Sequence, residues 1–207
     1  MEMPVFALHT VLFPGQAMGL RVFEPRYRAL MDDVLPAGTF AVVAIRHGQE
    51  VGGSYEPYRV GVTVAIEVHD RDEDGSHRLR IVGRDRVALI APDREDPYPI
   101  WQIELFPDEG GAGTDDVEAA ADALSGYLSV TGEPAGQVAS VPHDPVAASY
   151  VLAAATPALV PTHQALLELA GAGARLAAVR GIFRHETALV RALGAGVGGA
   201  GLDVSPN

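Results

Sequence analysis

Residues Val11 to Met31 read V-L-F-P-G-Q-A-M-G-L-R-V-F-E-P-R-Y-R-A-L-M, and they hold a turn, a strand and a helix start in succession. In Phe13-Pro14-Gly15 the proline ring fixes one dihedral and the glycine permits the next, so the chain reverses there. Ala17 to Phe23 is a β-type run. Pro25 suits a first helical position, where its missing N–H costs nothing, and Tyr27, Leu30, Met31, Val34 and Leu35 recur at helical spacing.

Further β-type runs lie on either side, at Val5 to Leu8, Phe40 to Ile45, Arg59 to Val68, Arg78 to Val82, Val87 to Ala91 and Ile100 to Leu105. Gly, Pro and Asp separate them, as in a compact antiparallel or mixed β-fold. The string D-E-G-G-A-G-T, Asp108 to Thr114, ends this pattern, and Ala-rich helical periodicity follows. It predicts helices over about 115–130, 145–155, 163–170 and 174–193, with Thr114, Asp144 and Thr162 as N-caps. In the last helix Leu176, Val179, Ile182, Phe183, Leu189, Val190 and Leu193 form one apolar face that calls for burial, and Gly194 suits a left-handed C-terminal cap. The expected class is therefore α+β: a β-rich subdomain over 1–107, a linker over 108–114, a helical-bundle subdomain over 115–193, and a flexible Gly-rich tail over 194–207 with few large apolar side chains to order it.

Composition narrows the chemistry. The chain has 207 residues, 48% of them hydrophobic, enough to bury a sizeable core, and a formal net charge of -12. That charge repels phosphate backbones, and the arginines are scattered instead of massed, so nucleic acid is not an expected partner. All 15 basic residues are Arg, and Lys and Cys are both absent. Without Lys there is no P-loop, Schiff base or Ser-Lys dyad; without Cys there is no thiolate nucleophile, disulfide or Cys-ligated zinc. Met1 to Thr10 does not read as a signal peptide, and no apolar run reaches membrane-spanning length. The expectation is a soluble cytoplasmic protein with no membrane partner.

Three motifs invite a catalytic or metal reading. Asp70 to Gly75, D-R-D-E-D-G, matches the first half of a calcium loop, but Ile81 stands where the loop needs its bidentate Glu, so an acidic hairpin tip is the better account. The histidines, His9, His47, His69, His77, His143, His163 and His185, show no H-E-x-x-H spacing, and only His69 and His77 are placed to meet across a hairpin. Gly52-Gly53-Ser54-Tyr55 lacks the final Gly of a nucleophile elbow. No catalytic residue, cofactor or metal site is expected.

The 11–31 segment resembles the opening signature of the Lon protease N-terminal, substrate-binding domain family at Phe13, Pro14, Gly15, Leu20, Phe23, Glu24, Pro25, Arg26 and Tyr27. Further similarities follow in order: Val60-Gly61, Val82-Gly83 with Arg84 and Arg86, Asp96-Pro97-Tyr98-Pro99, then Gln164, Leu166, Leu167 and Glu168, Arg175-Leu176 and Glu186. The resemblance implies a PUA-like pseudo-barrel packed on or beside a helical subdomain. It also implies a non-catalytic module that captures unfolded or extended polypeptide, as an adaptor or partner of a cellular protease, free-standing from the ATPase and protease domains of full-length Lon. PUA-like folds elsewhere bind nucleic acid, and a protein with a Lon-like domain binds small molecules, so these two remain as alternatives. The signature residues have local physical explanations first: Glu24 at a helix N-terminus, Arg26 as a pin for a neighbouring loop, Tyr27 as core volume and Phe13-Pro14-Gly15 as a turn. Peptide contact is the other reading of each.

Overall fold

The computed structural model describes residues 1–35, 38–109, 111–132 and 141–198, the last five by backbone alone. The strands are β1 (Glu2–Leu8), β2 (Ala17–Val22), β3 (Thr39–Gly48), β4 (Tyr55–Arg71), β5 (His77–Arg94) and β6 (Ile100–Leu105). The helices are α1 (Pro25–Val34), α2 (Thr114–Thr131), α3 (Pro145–Ala154), α4 (Val160–Glu168) and α5 (Ala172–Gly198). The class is α+β.

The strand order is β2-β5-β4-β3-β1-β6, and β5 pairs again with β6. That extra pairing closes β5, β4, β3, β1 and β6 into a ring, while β2 hangs on the first half of β5. Among the described strands only β1 and β3 run parallel; the other neighbours are antiparallel.

The strand expected at 78–82 and the one expected at 87–91 are a single bent strand, β5. A bulge explains why one strand looks like two. Val64 pairs with Gly83 and Val62 with Arg86, so two steps on β4 face three on β5. The extra residue inverts the in-out alternation: Arg78, Arg80 and Arg84 point to solvent, whereas Arg86 is buried. Thr63 steadies the bulge, its hydroxyl accepting the Asp85 N–H at 3.1 Å.

A large apolar cluster joins one side of the ring to α1 and to the helices, drawing on Phe6, Phe13, Tyr27, Phe40, Leu124, Leu152 and Phe183. A smaller one, with Val5, Val43, Val87 and Ile103, fills the opposite side.

The helix starts are partly as expected. Pro25 opens α1, and Asp144 caps α3 by accepting the Ala147 N–H at 2.8 Å. Thr114 lies inside α2, whose cap is Gly113; the Asp116 carboxylate reaches back to the Gly113 N–H at 3.0 Å. Thr162 lies in the first turn of α4, because Pro161 presets a helical dihedral and the helix begins at Val160. Gly194 does not cap α5, which runs on to Gly198, and residues 199–207 of the expected tail lie outside the described residues. The apolar face of α5 divides: Leu176, Val179 and Phe183 are buried, but Leu189 and Leu193 are exposed.

Candidate functional site

One edge of β5 belongs to β4, and the other passes from β2 at residues 77–82 to β6 at residues 87–94. Between those two partners β5 has a notch at residues 83–86. The Phe13–Gln16 turn fills one end, since the Gly15 N–H donates to the Gly83 carbonyl at 2.9 Å and the Gly83 N–H donates to the Gln16 carbonyl at 3.0 Å. Gly83 is required there, because a Cβ on it would collide with the Phe13 carbonyl oxygen. The chain leaving β6 fills the other end, with the Phe106 N–H on the Arg86 carbonyl at 2.8 Å.

Over the notch lies an open groove of about 540 Å³, walled by Pro14, Leu105, Phe106, Val146, Tyr150 and Val151. Leu105 is 60% exposed beside it. The groove thus takes one wall from the ring and one from α3. Arg84, Asp85 and Asp144 bring charge to it, and Asp144 is already spent on capping α3.

Beneath the groove, the ring and the helices are fastened by two buried arginines that share one carboxylate. The Arg86 guanidinium donates to Asp108 at 3.1 Å and to the carbonyls of Leu167 at 2.6 Å and Leu169 at 2.7 Å. The Arg175 guanidinium donates to Asp108 at 2.9 Å, to Ser149 Oγ at 2.7 Å and to the Leu166 carbonyl at 3.0 Å. Tyr150 donates to the second Asp108 oxygen, and its ring lies 4.0 Å from the Arg175 guanidinium carbon. One carboxylate cannot balance two guanidinium groups. The remaining positive charge is held by the carbonyls at the C-terminal end of α4, where the helix dipole is negative. Burial lowers the Arg86 pKa and raises that of the Tyr150 hydroxyl, which the hydrogen bond to Asp108 raises further. Both groups keep their protons at neutral pH.

The signature residues fall into three groups. Phe13, Pro14 and Gly15 form the turn that rims the groove, and the Phe13 ring meets Tyr150 at 6.3 Å and His163 at 5.8 Å between centroids. Gly83 and Arg175 belong to the same region.

Phe23, Glu24, Pro25, Arg26 and Tyr27 lie at the far end of β2. The Glu24 carboxylate makes no cap bond to α1; it accepts the Gly52 N–H at 3.2 Å and pairs with Arg26 at 3.1 Å. Arg26 donates to the Glu50 carbonyl at 3.0 Å, so the two side chains together hold the loop over residues 50–52. Tyr27 is buried and stacks on Phe6 with ring centroids 4.0 Å apart.

The third group joins α4 to the ring. Gln164 donates to the Val60 carbonyl at 2.9 Å and to Glu168 at 2.8 Å. At Gly61, a Cβ would strike the Val42 carbonyl oxygen. Asp108, Ser149 and Tyr150 were absent from the residues singled out in the sequence. Asp108 opens the expected linker, and no local pattern marks a loop carboxylate that two distant arginines will share.

Away from the groove, His69 Nε2 and His77 Nδ1 do meet across the hairpin, at 2.9 Å. The other His77 nitrogen, Nε2, is buried without a hydrogen-bond partner and lies 4.0 Å from Asp32. Burial and the nearby His69 and Arg71 lower the His77 pKa. At the hairpin tip the carboxylates are engaged locally. Asp74 accepts the Ser76 hydroxyl at 2.7 Å and pairs with Arg21 at 3.2 Å, while Asp72 pairs with Arg78 at 2.8 Å. Among the described residues no group of three His, Asp or Glu side chains is arranged to hold a metal, and no helix is long and apolar enough to cross a membrane.

The family model for the ATP-dependent protease La (LON) substrate-binding domain matches residues 2–185. A comparison with curated proteins finds no match. Among solved structures, a Lon N-terminal domain protein from Xanthomonas campestris is similar at 26% identity and a TM-score of 0.66, over 86% of this chain and 95% of that one. The N-terminal domain of a Mycobacterium avium complex Lon protease shares the fold at 17% identity and a TM-score of 0.66, over 89% of this chain and 98% of that one. With the family model spanning the ring, the groove and most of the helical layer, the chain belongs to the Lon substrate-binding domain family.

Proposed function

We propose that this chain is a non-catalytic recognition module that holds exposed apolar or extended segments of other polypeptides, acting as an adaptor or protease partner in protein quality control. The observation that carries the reading is the apolar groove over the β5 notch, within a family described by substrate binding. Its walls offer more apolar than polar surface, which suits recognition of unfolded chain. The acidic net charge of -12 argues against a nucleic-acid ligand.

The test titrates a permanently unfolded protein and its folded counterpart against this chain. The unfolded form should bind and the folded form should not, and Leu105→Asp, at an exposed position on the groove wall, should weaken binding about tenfold. Equal, negligible binding of both forms would remove the reading.

A further inference from the structure

We propose that the outer edge of β2, which no other strand pairs with among the described residues, receives an extended polypeptide segment, uncharged or basic, by strand addition continuous with the groove. This rests on the polypeptide-recognition reading above and names its mode.

The small sheet formed by β2, the first half of β5 and the last part of β4 has two outer edges, and they differ. Beyond Ala65, β4 has lost its pairing to β3, and this edge carries Glu67, His69, Asp70 and Arg71 with a register shift between Ile66 and Val68. Charges and bulges of that kind are how proteins blunt an edge against added strands.

Among the described residues the β2 edge has no such protection. Its residues, A-M-G-L-R-V, pair with β5 in unbroken register and contain neither Pro nor bulge. The one charge, Arg21, is tied to Asp74. A six-residue strand offers about 20 Å of unpaired backbone, and those N–H and C=O groups fit any extended chain regardless of its sequence.

Both ends of the edge lead to apolar surface. Ala17 begins two residues after Gly15, at the groove rim. At the other end Phe23 and Val51, each 52% exposed, flank a small hollow lined also by Leu8 and Leu20. An added strand would set alternate side chains against Met18 and Leu20, and the open space at Gly19 leaves its backbone room to approach. The net charge of -12 repels acidic segments and favours neutral or Arg-flanked ones.

The test uses a short synthetic peptide of alternating Val and Thr flanked by Arg, and two versions of it N-methylated on opposite sets of alternate residues. Only one set of amides faces β2, so one methylated version should lose about tenfold or more in affinity and the other should bind like the parent. Amides of β2 should gain hydrogen-exchange protection when the parent binds. Equal affinity of both methylated versions overturns strand addition. Failure of the parent peptide, while an unfolded protein still binds, overturns the edge proposal and spares the proposed function; failure of both ligands removes both. Sedimentation showing a dimer that Gly19→Glu disperses would assign the edge to a second copy of this chain and overturn the proposal.

Discussion

Asp108 and His77 are both ionisable groups set between elements, one under the groove and one at the hairpin, and they are treated in opposite ways. Around Asp108 the guanidinium, hydroxyl and carbonyl groups complete one another, apart from the Arg86 Nε. Around His77 one ring nitrogen is bonded and the other is left facing a carboxylate 4.0 Å away. A buried charge is tolerable when its partners are fixed by separate elements that cannot move independently, and β5, α3, α4 and α5 all meet at Asp108. The hairpin corner is assembled from α1 and the two arms of one hairpin, and there burial disfavours the protonated form of His77.

Removing the Asp108 carboxylate is the most damaging way to test this contrast. Asp108→Ala leaves two buried guanidinium groups without a counter-charge and should cost about 3–5 kcal/mol in urea unfolding. Gly83→Ala follows, because the new methyl must displace the backbone of the turn at Phe13; a loss of about 1–3 kcal/mol is expected, with weaker client binding because that turn rims the groove.

The His77 corner should respond to pH. His77 has a folded pKa below its ordinary value of 6.5, so the unfolded chain takes the proton first. Stability should therefore be complete above about pH 6.5 and decline as pH falls from there toward the folded pKa. The titratable and charged groups around it are His69 and Arg71 on β4 and Arg28 and Asp32 on α1; of these, only Asp32 opposes the shift. Urea midpoints measured across this range should slope less in His77→Leu than in the parent. The smallest effect belongs to the surface: Arg80→Ala breaks an exposed pair with Glu67 and should change stability by about 0.5 kcal/mol or less.

Much of the frame could be read from periodicity and turn chemistry. Pro25 and Asp144 act locally and start their helices where expected, and His69 and His77 meet as diagonal neighbours across the hairpin their places flank. Arg86 could not be found that way, because its burial depends on a bulge whose extra residue is defined by pairing with β4. Asp108 was hidden for a similar reason: its partners come from residues far along the chain, and its own neighbours, Pro107 and Glu109, suggest only a loop. The exposed end of α5 shows the limit of periodicity, since an apolar face at Leu189 and Leu193 signals a demand for cover without saying whether the fold supplies it.

Among the described residues β5 is the only strand with three partners in the sheet. Unravelling therefore has an order built into it. β2 can peel away by giving up a single ladder and leave the ring whole, whereas loosening β5 undoes the ring and the hairpin together.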